Sequence, residues 1–172
     1  MRAIFLGRDG VINENRDDHV KTWAEFCFLP GALTAIRALH EAGFKVFVIT
    51  NQAIIERGIA NIDTLEEIHT HMLEHISQAG GNISDIRYCP HDTYSNCQCR
   101  KPKAGMLIDL AQCWNIDLSQ SYLIGDAWTD IAAGLSVNCT TILVETGRGT
   151  EQLTLPQLHQ NPPALIARDL LS

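Results

Sequence analysis

Three polar stretches in this chain follow directly on apolar runs: Gly7-Arg8-Asp9-Gly10, Thr50-Asn51-Gln52, and Gly125-Asp126 leading on to Asp130. Their side chains suit one chemistry. Carboxylates such as Asp9 and Asp126 offer the oxygen ligands that a hard divalent cation such as Mg²⁺ takes. A hydroxyl at Thr50 and an ammonium at Lys101 can hydrogen-bond and neutralise the oxygens of a phosphoryl group. Phosphoryl transfer asks mainly for that positioning and charge compensation. Taken singly, each residue has a plainer reading. Asp9 suits an Asx turn, Thr50 and Asn51 suit helix caps, and Asp130 suits a helix N-terminus, where the dipole favours negative charge. The set becomes a site only if the fold gathers it at one rim.

A fourth stretch speaks for itself. "CPHDTYSNCQC" spaces its ligands as Cys89-x-His91-x5-Cys97-x-Cys99. Three thiolates and one imidazole make a full tetrahedral set for zinc, with no position left for water, so the metal would be structural. Its task would be to hold a short polar loop that cannot fold alone, and so to fix Arg100 and Lys101 beside the cleft. The remaining cysteines, Cys27, Cys113 and Cys139, are expected as small buried hydrophobes. His69, His71 and His75 share one helical segment, and with no evident acidic partner they are expected on a solvated face.

The elements that must position these residues are legible from periodicity. "RAIFLG", "FKVFVIT", "DIRYC", "SYLIGD" and "TTILVET" read as short strands, mostly continuous apolar runs that suit burial on both faces. Between them lie helical patterns. Leu33, Ile36 and Leu39 form one stripe, with Pro30 at its start and Gly43 at its end. Leu65, Ile68, Met72 and Ile76 form a second, opened by Asp63 and Glu66 in capping-box spacing and stopped at Gly80-Gly81. Met106, Leu107, Leu110 and Trp114 form a third, and "WTDIAAGLSVN" is a shorter helix. The tail, about 150–172, is expected to wrap the surface, "PALIARDLL" adding an edge strand or a helical turn. Strand alternating with helix predicts an α/β fold with a Rossmann-like parallel sheet and helices on both faces. In such sheets ligands bind beyond the carboxyl ends of the strands, where all three polar stretches fall.

Length and charge bound the rest. A chain of 172 residues fits a single domain, 1–172. A net charge of -7 argues against a nucleic-acid partner, since no basic patch offers to neutralise a phosphate backbone. No apolar run approaches the ~18–20 residues of a bilayer span, so no membrane partner is expected. "MRAIFL" starts as a strand with no signal-peptide pattern, which reads as cytoplasmic. A monomer is expected.

In that order and at those separations, "FLGRDGVIN", "VITNQ", "CRKP" and "IGDAWTD" resemble the four motifs of the haloacid dehalogenase superfamily of phosphatases. "YCPH…CQCRKPKAGML" resembles, more closely, the heptose 1,7-bisphosphate 7-phosphatases and their histidinol-phosphatase relatives. The likeness runs from about Ala3 to Gly149 and shows no large cap domain. It implies a Mg²⁺-dependent phosphoric monoester hydrolase acting on a small phosphorylated sugar through an aspartyl-phosphate. In that family, position 7 carries the aspartate nucleophile; here it is Gly7. Asp9 would be the general acid/base, and Asp126 would bind Mg²⁺ together with the Asp9 backbone carbonyl and a position-7 carboxylate. Thr50 and Lys101 would stabilise the phosphoryl group and Asp130 would orient its neighbours. Asn51, Gln52, Arg57 and Arg100 would contact substrate. "NQAIIERG" departs from the Ser-Gly-Ile-Ala usual between Asn-Gln and Arg-Gly. Glycine offers no atom to attack phosphorus or to bind metal, so the resemblance implies severely impaired turnover with binding retained. A deliberately trapped phosphatase and a natural pseudophosphatase both fit that reading.

Overall fold

Alternation along the central strands decides the architecture. In β1 (Ala3–Leu6), Ile4 and Leu6 face one side while Ala3 and Phe5 face the other; all four are buried. In β2 (Lys45–Asn51), Val46 and Val48 oppose Phe47 and Ile49 in the same way. A strand buried on both faces needs a helical layer on each. The computed structural model, which describes residues 1–172, supplies both layers.

The remaining strands are β3 (Asp85–Cys89), β4 (Tyr122–Gly125), β5 (Thr140–Val144) and β6 (Leu165–Ala167). All pairings are parallel, in the order β3-β2-β1-β4-β5-β6. On one face α1 (Ala32–Glu41) and α2 (Ile62–Gln78) bring Ile36, Ile68, Met72 and Ile76 onto Ile4, Leu6, Val46 and Val48. On the other, α3 (Gly105–Trp114) and α4 (Trp128–Leu135) cover Phe5, Phe47, Ile49 and Leu123 with Met106, Leu107, Leu110 and Ala133. The chain winds outward from β1 to β3, then returns to β4 on β1's other side. That reversal places the switch point between the loops carrying Gly7–Gly10 and Asp126.

Residues 7–31 and 52–61 connect β1 to α1 and β2 to α2 without forming a cap domain. The first connection packs one 3-10 turn, Trp23–Glu25, against α2. The tail contributes α5 (Gly149–Gln152), α6 (Pro156–Gln160) and the edge strand β6, and it anchors Leu158 in the core. No helix is long and apolar enough to cross a membrane.

Four local expectations are corrected. Helix α2 is capped by Asn61, whose side chain accepts from Thr64 N at 2.8 Å, not by Asp63 and Glu66. The cap lies two residues earlier because an amide oxygen caps as well as a carboxylate. Cys27 and Cys113 are exposed and only Cys139 is buried, since the first sits in the β1–α1 connection and the second on the outer side of α3. Trp114 is only partly covered; its ring meets Phe47 edge-on at 5.4 Å and its indole N–H donates to Asp85. Of the α2 histidines, His71 and His75 keep the expected exposed side and only His69 departs from it. His69 is buried on the core stripe, while His71 and His75 lie 5.2 and 5.1 Å from the Trp23 ring.

Candidate active site

The loop after β1 begins as an extension of the sheet, with Gly7 N donating to Ile124 O at 2.9 Å. It then turns sharply, so that Arg8 O accepts from Val11, Ile12 and Asn13. Gly10 is demanded by this turn. Its φ is +83°, and a Cβ there would collide with the Asp126 carboxylate. Gly7 is not. Its φ lies outside the left-handed region, and a Cβ would meet Val11 Cγ2 at 3.1 Å and nothing else closer than 3.8 Å. The backbone at position 7, beside a cleft that it lines, therefore admits a Cβ if the Val11 methyl yields by a few tenths of an ångström.

Asp9 is held from three sides. Arg8 Nη2 donates to both carboxylate oxygens at 3.1 Å, Asn13 Nδ2 to Oδ1 at 2.8 Å and Gln52 Nε2 to Oδ2 at 2.9 Å. Burial alone would raise its pKa, but the Arg8 charge and these donors outweigh it and hold the carboxyl below its ordinary range. The Asp9 carbonyl accepts no backbone hydrogen bond.

Thr50, at the carboxyl end of β2, accepts from Gln52 Nε2 at 2.8 Å. With its lone pair so engaged, the Thr50 hydroxyl proton is free to be donated into the cleft. Lys101 is buried; its ammonium donates to Ile49 O at 3.1 Å and Asp130 Oδ1 at 2.5 Å. Asn51 clamps the Lys101 backbone from both directions, accepting from its N–H and donating to its C=O. Asp126 accepts from Arg148 N at 2.9 Å. Burial and the neighbouring Asp130 push its carboxyl up to about 7, against the opposing pull of Lys101 and Arg148.

The predicted residues thus meet at one rim, although not all in the expected roles. Gly7, Asp9, Thr50, Lys101, Asp126 and Asp130 line a single cleft of about 780 Å³, with Asn51, Arg57 and Arg100 further out. Gln52, expected on the substrate, is buried behind Asp9 and Thr50 and bonds to both, because β2 ends there and its amide turns inward. Arg57 pairs with Asp92 at 2.6 Å, and Arg100 donates to His91 O at 3.0 Å. Six of the chain's thirteen Lys and Arg residues line this cleft, against three of its twenty acids. An acidic protein has gathered its cations where an anionic ligand would enter. Sequence reasoning missed three of the cleft cations, Arg8, Lys103 and Arg148. Arg8 stands inside the first motif, and its fully buried position could have been found from strand alternation. Arg148 lies beyond the last motif with no local signal, and it alone of the six makes no side-chain hydrogen bond.

At the cleft's edge, Cys89, His91, Cys97 and Cys99 bring their ligand atoms within 4.8 Å of one another. The contacts Cys89–Cys97, Cys89–Cys99 and Cys99–His91 Nδ1 measure 3.7, 3.1 and 3.3 Å. Zinc bound at about 2.3 Å per sulfur would set sulfurs about 3.8 Å apart, whereas a disulfide needs about 2.05 Å. The four ligand atoms are close enough to share one metal ion, and the cysteines are free thiols. The loop is tied to its neighbour by Glu56, which accepts from Asp92 N and from Ser95 Oγ.

A divalent cation at the phosphoryl end would find the Asp126 carboxylate and the Asp9 carbonyl. Mg²⁺ commonly takes one or two carboxylates and completes its shell with water and phosphate, so this donor set fits it, with one carboxylate fewer than an aspartate at position 7 would give.

Comparison with known proteins agrees with this arrangement. A family described as HAD-hydrolase-like matches residues 98–172. The chain is 40% identical over 153 residues to the D-glycero-β-D-manno-heptose-1,7-bisphosphate 7-phosphatase of Pseudomonas aeruginosa, covering 89% of this chain and 86% of that protein. To the protein of the same name from Pseudomonas putida it is 39% identical over 175 residues, covering 99% and 100%. The crystal structure of D,D-heptose 1,7-bisphosphate phosphatase from B. bronchiseptica, complexed with magnesium and phosphate, superposes with a TM-score of 0.92 at 37% identity, covering 99% of this chain and 94% of that one.

Proposed function

The chain belongs to the haloacid dehalogenase-like phosphatases that include the heptose 1,7-bisphosphate 7-phosphatases, and from that premise we propose that its cleft is built to dephosphorylate a heptose 1,7-bisphosphate at the 7-phosphate. The observation that carries this reading is the gathering of Asp9, Thr50, Lys101 and Asp126 in one cationic cleft. Thr50 and Lys101 hold the phosphoryl oxygens. Asp9 stands where a proton must be given to the leaving alcohol and later taken from water. Arg100 and Arg57 meet the sugar or its second phosphate. Asp126 and the Asp9 carbonyl would hold Mg²⁺, which would supply charge neutralisation at the phosphoryl group. Cys89, His91, Cys97 and Cys99 would hold zinc, which would fix the loop that carries Arg100 and Lys101.

What the cleft lacks is the nucleophile. Gly7 has no atom with which to form the aspartyl-phosphate, so turnover is severely impaired while the ligand still binds. A second reading, a binding protein without turnover, draws on the same Gly7. Against it stands the rest of the rim, which keeps every other group the chemistry needs, and a backbone at position 7 that still admits a Cβ. The test is phosphate release from D-glycero-D-manno-heptose 1,7-bisphosphate and from histidinol phosphate, by the present chain and by Gly7→Asp. Robust release from the heptose by Gly7→Asp alone supports the proposal. Equal rates from both chains overturn the role of position 7, and preference for histidinol phosphate overturns the substrate.

A further inference from the structure

Behind the cleft lies a polar chain that starts in the first motif and runs beyond all four, to α2. Arg8 is 1% exposed, the largest fully buried side chain in the molecule. Its Nη2 donates to Asp9, and its Nη1 lies 3.1 Å from His69 Nε2 on α2. A guanidinium has only donors, so His69 Nε2 must be the acceptor and the ring proton must sit on Nδ1. The direction of every bond is then fixed: Arg8 donates back to His69 and forward to Asp9. His69 falls between Ile68 and Met72 on the core stripe of α2, a place an apolar residue would fill at no cost. The Tyr88 ring lies 5.9 Å from its own. Arg8 Nε finds no partner at all. The buried cation thus depends on His69 and Asp9 for its anchors.

We propose that His69 is a positioning residue, the neutral acceptor that aims Arg8 at the Asp9 carboxylate and so holds Asp9 in its working orientation. The catalytic part of this inference rests on the phosphatase reading above. Arg8 and Asp9 are neighbours in sequence, so nothing in the loop alone stops the long Arg8 side chain from swinging to another rotamer. Anchoring its far end at His69 turns a flexible arm into a strut. Outer partners of this kind typically change activity about 10–100-fold when removed.

The test has two arms. In the present chain, long-range ¹⁵N correlation of the imidazole reads the tautomer of His69. Slowed rotation of the Arg8 guanidinium, by ¹⁵N NMR, reads the strut. Nδ1–H at His69, with Arg8 ordered in the parent and in His69→Gln but mobile in His69→Leu, is the expected result; Gln keeps an acceptor oxygen at similar reach. In the Gly7→Asp form, His69→Leu should lower kcat about tenfold or more with KM within about twofold, and His69→Gln should recover most of the loss. A purely structural role would lower the melting temperature and leave the kcat of folded protein unchanged. An Nε2–H tautomer, an unaltered kcat in His69→Leu, or equal losses in the Gln and Leu variants each overturn the proposal. If Gly7→Asp shows no turnover, the phosphatase reading falls, and the spectroscopic arm still decides whether His69 orders Arg8.

Discussion

The zinc loop and the phosphoryl rim are both polar regions built on strand ends, yet they stand in opposite conditions. The loop holds its four ligands within eleven residues, Cys89 to Cys99, and its set is complete. The rim draws Asp9, Thr50, Lys101 and Asp126 from four places in the chain, and on the proposed reading Gly7 leaves it without the attacking group. A closed metal site fixes structure and needs every ligand. An open site can lose its reactive atom and still keep its shape, because the sheet positions the rim whatever stands at position 7. On the proposed reading, geometry and reactivity are separate in this molecule.

That separation is tested most severely by restoring the missing group. Gly7→Asp should raise phosphate release by roughly four powers of ten, the scale on which removing a covalent nucleophile acts. Single-turnover kinetics with acid-quench trapping of an aspartyl-phosphate checks it. The melting temperature should move little, since only Val11 Cγ2 must yield to the new Cβ. A gain smaller than tenfold would mean that the rim is not merely missing one group.

The complementary break is at the loop. Cys97→Ser leaves three ligands, and zinc content by mass spectrometry should fall well below one per chain. In the Gly7→Asp form, kcat/KM should drop about 10–100-fold as Arg100 and Lys101 lose their fixed places. Proteolysis should cut near residues 92–96, while the sheet keeps its far-ultraviolet signal. Intact activity after zinc loss would show that Asn51, which clamps Lys101 through both backbone groups, is sufficient alone.

The two regions also differ in how far the sequence disclosed them. The loop was legible because its chemistry is local: ligand type and spacing already specify a tetrahedron. The sheet was legible because strand runs and helical stripes alternate, and alternation dictates a parallel order. The rim's partners were not. Gln52 turns inward only because β2 ends beneath Asp9, and no pattern in "TNQ" distinguishes a substrate contact from a support. His69 was assigned to solvent because three histidines at 69, 71 and 75 look like one face. At a helical period they are not one face: residue 69 falls with Leu65 and Met72, and 71 and 75 fall toward Trp23. Arg148 reaches the cleft from the loop that follows β5, where its backbone N–H donates to Asp126.

A gentler probe compares cation binding at the rim before and after repair. Two protein oxygens remain for Mg²⁺ in the present chain, and Gly7→Asp adds a third with charge. Divalent affinity rises with the number of charged ligands, so titration should give about tenfold tighter Mg²⁺ binding in Gly7→Asp. Zinc occupancy should not change, and a parallel change in both metals would argue that the two regions are coupled after all.

The smallest effect separates two buried groups of the rim by the sign of their response to acid. His69 has its pKa lowered from 6.5 to about 3, by burial first and then by the Arg8 charge. The unfolded chain therefore takes up a proton below about pH 6.5 that the native state refuses, and stability falls as pH drops from there toward 3. Asp126 is raised from 3.8 to about 7, so the native state holds the extra proton and stability rises as pH falls from 7 toward 4. In the present chain the two oppose one another. His69→Gln removes only the first, so between pH 7 and 5.5 the variant should gain roughly 1 kcal/mol relative to its parent's own change. Chemical denaturation at the two pH values reads this double difference, in which protonation of the zinc loop cancels because both chains carry it. Saturating Mg²⁺ should hold Asp126 ionised and remove its share, leaving the parent to lose stability in acid on account of His69. Parallel pH slopes in parent and variant would mean that His69 is not kept neutral, and a neutral His69 is what Arg8 requires as its anchor.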